Sequence, residues 1–435
     1  MQTHFTLAQL ADPDIAVAND ILRSCVHCGF CNATCPTYVL RGDELDSPRG
    51  RIMLIKDMLE GDKPASRTVA HHIGRCLSCL SCMSTCPSDV NYMHLVDQAR
   101  ARIEETFKRP ISERVLRGVL ALVLARPRLF WLAVKAAGPV RWVARVLPGR
   151  MRSMIDLMPK KVWWPSLQPQ IFKSDGKRRG RVALLSGCVQ PALAPVINDA
   201  TIRLLNRHGI EVVVPRGTGC CGALAHHLGR TAPSHRSIKA NLDAWWLEMI
   251  EGGLDAIVVN ASGCGTMVKD YGFIMRGDED YAEKGASLSA MTRDITEYLT
   301  EIGPIETTKL PELTVAYQSA CSMQHGQKLH EGPMGLLRRL GFDVREPMEG
   351  HLCCGSAGTY NILQPELASQ LRARTAACLD ATGADLIASG NIGCMTQLNG
   401  SVGMPIVHTV ELLDWATGGP SPPALAFMAA EGDAH

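Results

Sequence analysis

Thiol chemistry is the first thing the sequence offers. Sixteen of the 17 cysteines fall into spaced sets. Cys25, Cys28, Cys31 and Cys35, followed by Pro36, read C-x2-C-x2-C-x3-C-P, and Cys76, Cys79, Cys82 and Cys86, followed by Pro87, repeat the pattern. This is the ferredoxin-type run for a [4Fe–4S] cluster. Three cysteines two residues apart share one tight loop, so their sulfurs converge on three corners of a cube. The fourth is displaced by a further residue, and in two-cluster proteins it usually serves the other cluster. That rule groups Cys25, Cys28, Cys31 and Cys86 around one centre, and Cys76, Cys79, Cys82 and Cys35 around a second. Structural zinc uses pairs split by a longer loop and needs only four ligands, so two successive runs argue against it.

The second half of the chain carries a duplicated thiol pattern. Cys188 ends the run RVALLSGC and Cys321 ends TVAYQSAC; 32 positions after each comes a double cysteine with glycine, Cys220-Cys221-Gly222 and Cys353-Cys354-Gly355. A second apolar run then ends in Cys264 or Cys394, and each copy closes on a similar helix, DITEYL or HTVELL. Four thiolates per copy could hold a further iron–sulfur centre, hold zinc, act as redox-active thiols, or be buried cysteines inherited by duplication. His226, His227, His325 and His351 lie near these motifs and are read as hydrogen-bonded loop residues. Cys378 has no counterpart in the first copy and is read as packing.

The elements that must position these groups follow from periodicity. Between the front runs, SPRGR (Ser47–Arg51) reads as a loop leading into a helix with Ile52, Ile55 and Leu59 on one face and Gly61 at its end. After the second run, Tyr92, Leu95, Val96, Ala99, Ile103 and Phe107 keep helical spacing. Strands alternating with helical stretches in the second half predict two α/β units with parallel sheets, their cysteines at the carboxyl ends of strands. The expected class is α+β and multidomain. A mostly helical two-cluster ferredoxin-like domain (1–108) is followed by a basic amphipathic helical connector (109–180), two duplicated α/β units (181–305 and 312–418) and a flexible tail (419–435).

Composition excludes several classes. With 45 Lys and Arg against 43 Asp and Glu, the chain is neither a generally basic nucleic-acid binder nor an acidic disordered protein. Residues 1–20 show no basic, apolar and cleavage regions of a secretory signal, which makes a reducing cytoplasm the expectation. No stretch qualifies as a spanning helix. Charge is nevertheless uneven: between Lys108 and Arg181, 18 Lys and Arg face only Glu113, Asp156 and Asp175. Interleaved with apolar residues, this segment reads as a solvated connector, a docking face for a partner subunit, or a contact with an anionic membrane surface. No dinucleotide-binding fingerprint is read, and no general base stands beside a hydride-donor site.

Taken together, the two C-x2-C-x2-C-x3-C-P runs and the two Cys…CCG…Cys modules resemble the iron–sulfur subunits of flavin-linked glycolate oxidase, within the wider CCG-domain family. That family includes heterodisulfide reductase components, lactate-utilisation subunits and the iron–sulfur subunit of anaerobic glycerol-3-phosphate dehydrogenase. SGCVQ around Cys188 and GTGCCGALAHHLG around Cys220 carry the resemblance to the glycolate member, alongside SPRGR. It implies two [4Fe–4S] clusters, with a further cluster or metal open in the CCG modules. It further implies FAD-containing partner subunits that oxidise glycolate to glyoxylate, with D-lactate as a second candidate substrate. Electrons would pass to the respiratory quinone pool on the cytoplasmic face of the inner membrane. This chain would carry electrons without holding the substrate-oxidising site; a related lactate or glycerol-3-phosphate complex, or a thiol–disulfide reductase, are the alternatives. One departure is plain. Relatives that end the module in C-x2-C offer five cysteines, whereas Ala261 and Asn391 stand at the first position of that pair here.

Overall fold

The computed structural model describes residues 1–138, 169–303 and 311–426, with isolated residues between 152 and 165 and at 307 and 308. Much of the basic segment, 139–150 included, and the last nine residues lie outside the described residues.

The front domain is helical. Helix Pro13–Ser24 starts on the Asp12 side chain, with proline at its first position, and buries Ala18 and Leu22. Helix Tyr92–Thr106 presents Tyr92, Leu95, Val96, Ala99 and Ile103 to the same core. SPRGR is not a loop. Ser47 caps helix Pro48–Glu60, its Oγ accepting from Gly50 N at 2.9 Å, so Pro48 to Arg51 form the first turn. The reason is the Ser-Pro pair: a hydroxyl at the cap and a fixed φ at the first helical position favour initiation. Ile52, Ile55, Met58 and Leu59 then enter the core, where each fully buried aliphatic contributes roughly 1.5–3 kcal/mol.

Two sheets follow. The first has the order β1 (Gln170–Phe172), β3 (Ile210–Val214), β2 (Gly180–Leu184), β4 (Ala256–Val259), β5 (Thr292–Asp294); the second runs β7 (Asp343–Arg345), β6 (Thr314–Gln318), β8 (Leu386–Ser389), β9 (Ile406–His408). Every pairing is parallel except β1 with β3. The connector is therefore not wholly helical: its end supplies an antiparallel edge strand, because Gln170–Phe172 lies alongside the outer edge of β3. Nor is the tail wholly flexible, since Leu425 is buried in the shared core.

The repeat is an internal pseudo-twofold. Helix Pro195–Arg207 of the first unit packs on Thr409–Ala416 of the second, and Ile295–Ile302 packs reciprocally on Glu331–Arg339. One apolar core spans both units. Arg203 and Arg207 both pair with Asp414 across the seam. The closing helices share a capping box, Asp294 with Glu297 and His408 with Glu411. Among the described residues no helix is long and apolar enough to cross a membrane.

Candidate iron–sulfur and thiol centres

The front domain holds two adjoining cavities lined by cysteine. One is lined by Cys25, Cys28, Cys31 and Cys86, with Cys82, His27 and Arg49 at its walls. The other is lined by Cys35, Cys76, Cys79 and Cys82, with Arg51 and Tyr92. The fourth cysteine of each run thus lies with the three of the other. Left-handed backbone at His27, Gly29, Ser78 and Leu80 bends the two loops tightly enough to turn their thiols inward. The backbone N–H of Ser78 donates to Cys76 Sγ at 3.4 Å.

The donor sets fit thiolate-bound iron. Burial, then the neighbouring Cys25 and Cys86, push the Cys31 thiol up to about 11. Cys79 and Cys82 are likewise raised well above the usual thiol value, first by burial and then by Cys321 and Cys79 respectively. Crowded buried sulfurs resist ionising without a cation among them, and iron held there would supply that charge. The two cavities differ in access. Cys28 is exposed, whereas Cys35, Cys76, Cys79 and Cys82 are all buried.

Arg51 is the residue that spacing could not reveal. Its guanidinium is fully buried, donating to His72 O at 2.8 Å and Thr37 Oγ1 at 3.0 Å, with Nη1 3.8 Å from Cys35 Sγ. Despite desolvation its charge is held firmly by Cys76, Tyr92, Cys35 and Asp46. The Tyr92 hydroxyl reaches Cys76 Sγ at 3.8 Å. Asp43, Asp46 and His72 bring three ligand atoms together. The Asp46 carboxylate is already paired with Arg41, Arg51 and Arg75, so ion pairing accounts for the cluster. Its one signal in the sequence was a charge within SPRGR, between the two cysteine runs.

The duplicated modules each gather four sulfurs at the carboxyl edge of their sheet. Cys188, Cys220, Cys221 and Cys264 cluster together, and the neighbouring Cys188 and Cys221 thiols hold Cys220 far below the usual thiol value, with the Gly222 N–H donating to Cys220 Sγ at 3.4 Å. In the second module Cys321 Sγ lies 3.7 Å from Cys353 Sγ, and bonds from Cys353 and Cys394 hold Cys354 down. Gly222 and Gly355 both have φ of 87°, and a Cβ on Gly355 would meet Ala368 O at 2.7 Å. Each set could hold one metal centre or work as thiols. At the missing fifth positions, Ala261 is buried and Asn391 caps the helix bearing Cys394, accepting from Gly393 N at 2.9 Å.

Gly217–Gly222 does carry the G-x-G-x-x-G spacing directly after β3, contrary to the expectation that no such fingerprint exists. Its cysteines face the thiol set, the Gly219 N–H is taken by Asn241 Oδ1 at 2.9 Å, and the next helix has only five residues. That leaves no dinucleotide cradle there. The histidines are hydrogen-bonded: His226 and His227 both meet Asp97, and His325 bridges Ser84 and the His351 carbonyl. Cys378 is not core packing; it is half-buried, with Sγ 3.8 Å from Glu349.

The modules are wired differently to the front domain. Leu77 and Cys79 pack with Cys353, Tyr360 and Leu367, with Cys321 alongside. The first module instead meets the front domain through helix Tyr92–Thr106 and the Asp97 pairings.

Sequence comparison agrees with this layout. A 4Fe-4S dicluster domain matches residues 21–90, and a cysteine-rich domain matches twice, at 182–269 and 315–399. The chain is 41% identical to the glycolate oxidase iron-sulfur subunit of Escherichia coli over 96% of its own length and 99% of the relative's. The chain belongs to the glycolate oxidase iron–sulfur subunit family. A probable glycolate oxidase iron-sulfur subunit of Bacillus subtilis is 31% identical over 87% of this chain and 88% of the relative. Lactate utilization protein A of Bacillus licheniformis is 28% identical over 54% of this chain and 99% of the relative. Iron–sulfur clusters are therefore the cofactors of this glycolate oxidase family member.

Proposed function

We propose that this chain is the electron-carrying iron–sulfur subunit of a multi-subunit glycolate dehydrogenase. FAD-containing partner subunits oxidise glycolate to glyoxylate, and the electrons leave toward the quinone pool at the cytoplasmic face of a membrane. Two [4Fe–4S] clusters, ligated by Cys25, Cys28, Cys31 and Cys86 and by Cys76, Cys79, Cys82 and Cys35, supply one-electron steps between a two-electron flavin and the acceptor. The observation carrying this reading is the pair of adjoining four-cysteine cavities, one open at Cys28 and one buried against the second module.

The chain's own residues then have distinct work. Cys28 and its loop present the entry side to a partner. Arg51 offsets negative charge at the buried centre, and Leu77 and Tyr360 exclude water between that centre and the thiols Cys321 and Cys353. The substrate-oxidising site belongs to the partner. Likeness to lactate utilization protein A favours, as a second reading, a complex oxidising lactate.

Anaerobic co-purification with the flavoprotein subunits tests this. Cys28→Ser should lower bound iron by about four per chain and stop acceptor reduction, while glycolate still reduces the partner's flavin. Loss of flavin reduction in an assembled Cys28→Ser complex would refute the division of labour.

A further inference from the structure

Helices Ile111–Leu124 and Pro127–Ala137 invert the usual amphipathic arrangement. A surface helix turns its aliphatic stripe to the core and its charges to water. In Ile111–Leu124 the buried side chains are Leu120 and a cation, Arg117, whose Nη2 donates to Leu228 O at 3.0 Å. Ile111, Val115, Val119 and Leu122, at i, i+4, i+8 and i+11, stand outward instead. The second helix buries no residue and adds exposed Leu129 and Leu132. These six aliphatic residues are between 37% and 78% exposed. Scattered exposed leucines need no explanation, but a stripe on two successive helices does.

What borders the stripe points to its occupant. Arg114, Arg128 and Lys135 are exposed on the same two helices, and Arg126 is exposed in the turn between them. Their only acidic residue, Glu113, is taken by Arg109 at 2.9 Å. Beside them Trp164 meets Trp131 edge to face at 4.9 Å, and Lys161 lies over the exposed Trp163 ring at 3.9 Å. Aliphatic face, cationic flanks and exposed tryptophan together suit the headgroup boundary of a bilayer.

We propose that this helical hairpin lies in the surface of a membrane bearing anionic lipid, its aliphatic stripe at the acyl boundary and its Arg and Lys at the phosphates. The inference rests on the membrane-side electron exit proposed above and identifies the surface that makes the contact.

The test uses the full chain, purified anaerobically alone and with its flavoprotein subunits, and vesicles of phosphatidylcholine with or without phosphatidylglycerol. The expected result is co-sedimentation with the anionic vesicles only, reversed by raised salt. Val119→Glu/Leu122→Glu, at two exposed positions, should weaken that partition at least about tenfold. Iron content and glycolate-driven reduction of a soluble dye should stay unchanged. Equal vesicle binding by the variant, or none by the unaltered chain, would overturn the proposal. So would release of the flavoprotein subunits by the variant, which would make this face a protein interface. Failure of the electron-carrier reading would appear separately, as absent dye reduction in the unaltered complex.

Discussion

Replacing Arg51 by methionine removes a positive charge beside the buried four-thiol cavity while keeping much of the aliphatic volume. The guanidinium lies 3.8 Å from Cys35 Sγ, and an electron spread over a cluster bound there would sit further off. At ~7 Å and an effective dielectric of about 20, a unit charge is worth about 2.4 kcal/mol. For a one-electron couple that is about 100 mV. The sign follows from charge: a cation favours the more negative, reduced state, so Arg51→Met lowers the potential. Asp46 is not orphaned by the change, because Arg41, Arg75 and His72 still hold it. Arg51→Lys keeps the charge and should shift the potential much less. Potentiometric titration followed by EPR on anaerobically purified protein reads both values. A methionine variant with full iron and an unmoved potential would refute the electrostatic role assigned to Arg51.

Three further predictions concern the scaffold. Burial raises Asp294 to about 6, and its Oδ2 has no partner while Oδ1 caps the helix. Its ionisation therefore costs stability as pH rises from 3.8 through 6. Asp294→Asn should stabilise the fold by about 3 kcal/mol at pH 7.5 and by almost nothing at pH 3.5, read by denaturant melts. Burial lowers His408 to about 4, so stability is present above 6.5 and lost as pH falls from 6.5 toward 4. A His408→Asn variant, which can still cap, should lack that roughly 3 kcal/mol acid loss; an identical acid profile would count against a neutral His408. A methyl on Gly50 would run into the Glu44 carbonyl oxygen, so Gly50→Ala should cost about 3 kcal/mol and lower iron occupancy. An unchanged melt would show that the Glu44 turn can move.

The sequence by itself determined what is local. Cysteines two and three residues apart share one loop, so the C-x2-C-x2-C-x3-C-P runs limit their own geometry whatever surrounds them. Equal spacing between Cys188 and Cys220-Cys221, and between Cys321 and Cys353-Cys354, made the duplication legible for the same reason. Helix Tyr92–Thr106 follows from its 3.6-residue spacing, and the parallel strands follow from short continuous apolar runs that end up buried on both faces. What only the tertiary structure decided depends on packing between distant segments. Arg51 looked like part of a polar loop until Asp46, Thr37 and His72 closed over it, and β1 emerged from the connector because the outer edge of β3 needed a neighbour. Likewise, Cys79 and Leu77 met Cys353 and Tyr360 of the second module, Cys79 and Cys353 being 274 positions apart. The outward stripe of Ile111–Leu124 belongs here too: periodicity identifies an apolar face, but only the surrounding contacts decide whether it points to the core or to solvent.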